Sequence, residues 1–314
     1  AGNEGSLLML ATSVSIMGAV ALHFIRRKHP DLAPYSLMVI MLVVSFYVSL
    51  MAFLENPFYK FPLAPADGVG LNPLLTNPAM TIHPPLLMSG FMYFTIPFSL
   101  GVAGLVTGRV DYAWVASVRR WLLLAWAILA LGMVIGAWWA YVEFGWGGYW
   151  AWDPVENAAV MPWLLGTALL HSLMVQRHRG ILKAWNMALI ILAFHLALLG
   201  TFLDRSGVLG SVHAFAQTTQ APVMLGFISG SLVASLVLLF ARLHVLRGEE
   251  ELESLVSREG GFILNNYLIV AITFVVFWGT MYPLVAEADR GDRVTVAAPF
   301  FNRLKGPLLL AVFV

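Results

Sequence analysis

The sequence predicts an all-α polytopic membrane protein with at least eight transmembrane helices and a truncated ninth, and three observations carry that prediction. Of 314 residues, 60% are hydrophobic and 11% charged, whereas a soluble domain carries roughly 25% charged residues. Eight runs are continuously apolar and almost free of charge, each about long enough to cross a hydrocarbon core roughly 30 Å thick. Basic residues gather in alternate loops between those runs, as expected where positive loops stay on the cytoplasmic side.

In chain order the runs cover approximately 6–25, 35–54, 85–107, 121–142, 157–175, 184–203, 221–246 and 262–285. They read as helices rather than barrel strands because they are uniformly apolar instead of alternating, and a helix satisfies its backbone polar groups within the segment. A ninth run starts near Gly306, and its last stretch, Pro307 to Val314, is too short to span. With Ala1 in place of an initiator Met, this suggests that residues 1–314 form one helical domain belonging to a longer chain. Arg26, Arg27, Lys28, Arg109, Arg119, Arg120, Arg177, Arg179, Lys183, Arg242, Arg247 and Arg258 place twelve of eighteen basic residues in the odd loops, which assigns those loops to the cytoplasm. The outer loops are then 55–84, 143–157, 204–220 and 287–305; Arg290, Arg293, Arg303 and Lys305 weaken the rule in the last.

Composition also excludes. A net charge of +1 without a basic face disfavours nucleic acid. Zero cysteines rule out a disulfide, a thiolate metal site or a heme thioether made by this chain.

The loop between the fourth and fifth runs concentrates aromatic side chains: six of eleven tryptophans fall between Trp138 and Trp163. An interfacial belt accounts for tryptophan at headgroup depth. Clustered rings with Gly147 and Gly148 between them favour instead a platform for a flat aromatic ligand, built from Trp146, Gly147, Gly148, Tyr149, Trp150, Trp152 and Asp153. Asp153, Pro154 and Glu156 form a capping-box pattern for the fifth helix, which makes those carboxylates structural rather than catalytic.

Eight histidines divide by position. His23, His29, His178 and His244 lie at cytoplasmic ends beside basic residues, where a solvated role is expected. His83 and His213 lie on the side of the tryptophan loop, and two neutral imidazoles approaching a flat ligand from opposite faces suit six-coordinate heme iron. His171 and His195 lie within apolar helices, where an ionisable group signals heme ligation, a proton path or a hydrogen bond to a neighbouring helix. These options stay open for both, including joint ligation of one heme. Arg205, in the outer loop after the sixth run, is a candidate partner for a heme propionate, since guanidinium and carboxylate match bidentately.

The segment Trp146-Gly147-Gly148-Tyr149-Trp150-Ala151-Trp152-Asp153-Pro154-Val155-Glu156-Asn157, with Met161-Pro162-Trp163 after it, resembles the tryptophan-rich WWD signature of heme-handling membrane proteins, in the version of the CcmF-type cytochrome c heme lyases. Asn3 to Leu8, Leu71 to Leu75, His83 to Leu87, Gly200 to Leu203, Arg205 to Leu209 and Ser211 to Phe215 resemble family segments in the same order, over the whole chain. The resemblance implies that His83 and His213 are axial ligands of incoming heme. It implies that His171 is one ligand of an internal b-type heme whose second ligand lies beyond Val314, and it leaves His195 as a packing residue. It further implies a heme lyase of the bacterial cytoplasmic (inner) membrane with its site facing the periplasm. A CcmE-type heme chaperone would deliver heme, a CcmH-type thioreductase partner would bring apocytochrome c, and quinol is a candidate electron donor. The reaction would attach heme through thioethers to the cysteines of a Cys-X-X-Cys-His segment. Competing readings are a heme-transfer protein that forms no bond, a secondary transporter with a merely interfacial loop, and a docking scaffold.

Overall fold

The computed structural model describes residues 2–60, 62–63, 66–68, 70, 73–145, 147–210, 219–247, 257–291 and 294–313. Among them the elements are α1 (Asn3–Lys28), α2 (Ala33–Phe53), α3 (Ala79–Tyr93), α4 (Thr95–Thr107), α5 (Tyr112–Glu143), α6 (Pro154–Arg179), α7 (Lys183–Ser206), α8 (Ala221–Ala241), α9 (Arg258–Arg290) and α10 (Ala298–Phe313), with no strand. Eight spans are long and apolar enough to cross a membrane, α3 and α4 counting as one. The chain is a multi-pass helical membrane protein.

The third span is broken rather than continuous, and proline explains the break. Pro97 has no N–H to offer the carbonyl of Tyr93, so the helix stops at Phe94 and restarts with Pro97 in the first turn of α4, where a missing N–H costs nothing. The same span starts earlier than expected: Pro84 and Pro85 lie inside α3. The carbonyls they leave without a helical donor belong to Met80 and Thr81, at a partly exposed end. α10 likewise starts at Ala298 rather than near Gly306, with Pro299 in its first turn. The last outer loop therefore shrinks to 291–297.

Contacts sort the loops into two ends. At one end Arg109 bonds Asp31 and Asp111, Arg242 donates to the Leu105 and Val106 carbonyls, Arg177 bonds Tyr112, and Arg179 pairs with Glu259. At the other end Asn77 donates to Glu143, Trp152 to Asn302 and Arg205 to Ser6. The odd loops thus share one end, as the basic clusters predict. α7 is central: 83% of its apolar stretch is buried, against 22% for α8 at the rim.

Glycine sets the closest helix approach. A Cβ on Gly90 of α3 would lie 2.6 Å from the Leu129 Cα of α5, and one on Gly132 of α5 would lie 2.8 Å from the Leu87 nitrogen of α3. Small residues let helix backbones touch where the apolar solvent provides no hydrophobic drive to associate. We expect Gly90→Ala to destabilise the protein by about 1–3 kcal/mol, the usual cost of forcing atoms into a filled contact. Gly226→Ala, with open space around its Cβ, is the control expected to leave thermal unfolding in detergent unchanged or slightly raised.

His29 departs from the solvated role expected of it: it is buried between α1 and α2, with Nε2 2.7 Å from Ser117 Oγ. Burial first, and then the charge of Arg109, push its pKa below the ordinary value near 6.5. Below pH 6.5 the unfolded chain therefore takes up a proton more readily than the folded one does at His29. Its contribution is complete above pH 6.5 and is lost as pH falls through the folded pKa. Thermal unfolding should fall with pH below 6.5, and more weakly in His29→Gln; an identical slope in the variant would remove His29 from the explanation.

Candidate functional site

The tryptophan loop is pinned where it enters α6. Asp153 is the N-cap and accepts from Val155 N at 2.9 Å, while the Glu156 carboxylate accepts from Ala151 N at 2.9 Å and Asp153 N at 3.1 Å. This is the capping box read from the sequence, and it occupies both carboxylates with backbone donors.

Among the described residues the rings do not form one continuous platform. Trp152 is 9% exposed, its ring stacked on Phe301 of α10 at 4.9 Å and 11°. Its indole N–H donates to Asn302, and the Lys305 ammonium lies 4.0 Å from its ring centroid. Trp152 is also left-handed, with φ +60°, a conformation that costs a bulky residue about 1–2 kcal/mol. Asn157 donates to its carbonyl at 3.2 Å and helps hold it there. Trp150 meets Trp152 edge-on at 5.9 Å and carries a buried indole N–H with no hydrogen-bond partner. Tyr149 points elsewhere: it is exposed and stacks on Tyr141 at 4.4 Å. Gly147 takes φ +70°, a turn that only glycine adopts cheaply, and Gly148 follows it into the loop. Trp146 lies outside the described residues. Trp152 thus packs against α10, whereas the Trp150 indole N–H is left without a hydrogen-bond partner.

His83 lies in α3, half-buried against α5. Its Nδ1 donates to the Gly132 carbonyl at 2.8 Å, leaving Nε2 as the lone-pair nitrogen. Metal-ligating histidines are commonly oriented by such a bond from the other ring nitrogen. Its ring stacks on Trp139 at 6.1 Å and 23°, and a Cβ on Gly136 would lie 2.4 Å from its Cε1. Three positions on one face of α5 therefore seat this imidazole. A cavity of about 30 Å³ is lined by His83, Trp150, Glu156 and Gly136, among others. His213 lies outside the described residues.

A second cavity of about 390 Å³ opens on the other side of the loop, between the start of α6, the outer part of α9 and residues 294–298, with Trp152, Asp153 and Asn157 in its wall. No residue lines both cavities.

The two membrane-depth histidines separate. Both nitrogens of His195 are engaged, with the Ile191 carbonyl at 2.7 Å and Ser231 Oγ at 3.1 Å, so it ties α7 to α8. His171 in α6 is half-buried beside Phe262 of α9, with Nδ1 buried and without a hydrogen-bond partner. Of the two, only His171 has an imidazole uncommitted to protein, which suits a heme ligand. Arg205 is corrected in position. It lies in the last turn of α7, not in an outer loop, with no solvent exposure. Its guanidinium bonds Ser6 Oγ, the Thr201 carbonyl and Asp204, an enclosure that gives a propionate no open approach.

Sequence reasoning missed the residues that seat the site: Gly132, Gly136 and Trp139 around His83, and Phe301, Asn302 and Lys305 around Trp152. The spacing of Gly132, Gly136 and Trp139, all on one helical face, was the available signal for the first group.

The family model described as cytochrome C assembly protein matches residues 1–210. The chain is 42% identical to the cytochrome c-type biogenesis protein CcmF of Pseudomonas aeruginosa, over 99% of this chain and 47% of that protein. It is 43% identical to CcmF of Escherichia coli over 96% and 47%, and 44% identical to CycK of Rhizobium meliloti over 98% and 46%. Among solved structures it matches one of the cytochrome c heme lyase CcmF with a TM-score of 0.76 and 34% identity, covering 98% of this chain and 44% of that one. The chain spans about half the length of the curated relatives it matches. With a family model over residues 1–210 and relatives above 40% identical along nearly its whole length, the chain belongs to the cytochrome c assembly protein family.

Proposed function

We propose that the chain is the heme-handling part of a cytochrome c heme lyase, which accepts heme and promotes its thioether attachment to the cysteines of an apocytochrome. The observation that carries this reading is His83: an imidazole oriented by a backbone carbonyl, stacked on Trp139 and facing Trp150 across a small cavity. Heme as substrate binds against this pair of side chains, displacing Trp150 from a cavity that as it stands holds about one water, with His83 Nε2 on iron from one side and His213 as the second ligand. Trp150 packs against the porphyrin, and its unpartnered indole N–H supplies a donor for a polar group at the ring's edge.

In the reaction each cysteine S–H adds across a vinyl C=C. One S–C and one C–H bond form and no electrons are transferred in the addition. This chain supplies no nucleophile, since both thiols come from the apocytochrome. Its contribution is orientation, which turns a rare encounter into an effectively intramolecular one. The tightly capped start of α6 holds the loop still while that happens.

His171 is assigned to an internal b-type heme, with its second ligand outside residues 1–314. When bound, that heme supplies an electron to keep the delivered iron ferrous, with quinol as candidate donor. A CcmE-type chaperone delivers heme and a CcmH-type partner presents the apocytochrome. The end bearing the tryptophan loop faces the periplasm, because the opposite end gathers the basic loops.

The first test is the optical spectrum of the purified full-length protein, oxidised and dithionite-reduced, with pyridine hemochrome analysis. We expect a b-type spectrum that is lost in His171→Ala and kept in His195→Ala. Heme retained unchanged without His171 would refute the internal site.

A second test addresses the outer site. Gly136→Ala must displace the His83 ring, so external heme affinity should fall by about 10- to 100-fold, the usual cost of disturbing what orients a metal ligand, while the internal heme spectrum is unchanged. Full external affinity in that variant would count against His83 as an axial ligand. Heme binding at both sites without any thioether product would favour the transfer protein over the lyase.

A further inference from the structure

Residues Val294, Thr295 and Val296 are consecutive, β-branched or small-polar, and outside any helix, a composition suited to extended pairing. Among the described residues their backbone N–H and C=O groups make no hydrogen bond. All three line the cavity of about 390 Å³, whose size falls in the range of roughly 300–1,000 Å³ typical of binding pockets. Val294 is 38% exposed, so the row is open to an incoming chain. Across the cavity Asn157 is 1% exposed and its amide oxygen has no hydrogen-bond partner.

We propose that this cavity receives an extended segment of the substrate polypeptide, paired through its backbone with Val294 to Val296. An unpaired backbone row recognises another backbone by strand addition, which provides affinity, while pockets beside it read alternate side chains. An acyl chain would leave those groups and the Asn157 oxygen unsatisfied in an apolar setting, which is costly. A peptide brings N–H donors for the Asn157 oxygen and the free carbonyls, and C=O acceptors for the free N–H groups.

Position gives the docking its use. The cavity shares the loop from Trp150 to Asp153 with the His83 cavity but lies on its other side. A peptide held here rests one loop's thickness from heme held at His83 and Trp150, so its thiols reach the porphyrin edge from a fixed direction. The identity of the peptide as a Cys-X-X-Cys-His segment rests on the heme-lyase reading, whereas the docking surface rests on the cavity itself.

The probe is a synthetic decapeptide carrying Ser-X-X-Ser-His in place of Cys-X-X-Cys-His, which docks without forming a bond, added to the purified full-length protein. A photo-reactive amino acid at Val294 should capture the peptide, and the same group at Leu192, exposed on the outside of α7, should not. Thr295→Pro, which removes an N–H and bends the row, should weaken binding by about tenfold or more. Thr295→Val, which keeps the backbone, should bind as the parent does. Equal affinity in Thr295→Pro, or capture of lipid or quinone instead of peptide at Val294, would overturn the proposal. The cross-link is read in a protein with its backbone intact, so it decides even if the proline variant misfolds. Because the heme spectra judge the lyase reading and the cross-link judges the docking, either can fail alone.

Discussion

The site depends on how closely α3 and α5 approach. Gly90 lets α3 rest on the backbone of α5 at Leu129, and Gly132 lets α5 rest on α3 at Leu87. In a membrane this contact is driven by packing and hydrogen bonding rather than by expulsion of water, so every ångström of separation is lost directly. One turn beyond Gly132, the same closeness brings Gly136 under the His83 ring and the Gly132 carbonyl to its Nδ1. The glycines that close the helix interface are therefore the residues that orient the imidazole.

The tryptophan loop joins two requirements in one short segment. Its end must start α6, which Asp153 and Glu156 secure by satisfying backbone donors. Its rings must also meet two neighbours, and they do so by division: Trp150 turns to the His83 side, whereas Trp152 turns to α10. Trp152 reaches Phe301, Asn302 and Lys305 only by adopting a left-handed backbone. The strain is offset by a stack, two hydrogen bonds and a cation over the ring, so α10 and the loop are mechanically one unit. That coupling also shapes the larger cavity, whose wall runs from Trp152 through residues 294–298 to Phe301.

Charge organises the ends in the same economical way. Arg109, Arg177, Arg179 and Arg242 do not simply mark one side of a membrane; each bonds a neighbouring helix end. His29 is drawn into the same end and loses its solvation, which explains its lowered pKa where the sequence suggested an ordinary surface histidine. Arg205 plays the matching part at the opposite end, tying α7 to α1 from a fully enclosed position.

Much was determined by sequence alone. Continuous apolar runs dictate helices in a bilayer because no other short element satisfies its own backbone there, so the eight spans and the shared end of the basic loops were legible. So was the capping box, whose partners lie within three residues. Contacts between residues far apart in the chain were not. Whether Trp152 faces a ligand or Phe301, whether Arg205 faces an outer loop or Ser6, and which of His171 and His195 keeps an uncommitted nitrogen are all decided by helices distant in sequence. The start of α10 at Ala298 was hidden by its charges, since Arg303 and Lys305 interrupt the apolar run, and the contact of Lys305 with the Trp152 ring is visible only in the folded chain. Periodicity and local capping report on neighbours within a turn or two; the side-chain environment is set by which helices pack together, and only the tertiary structure holds that information.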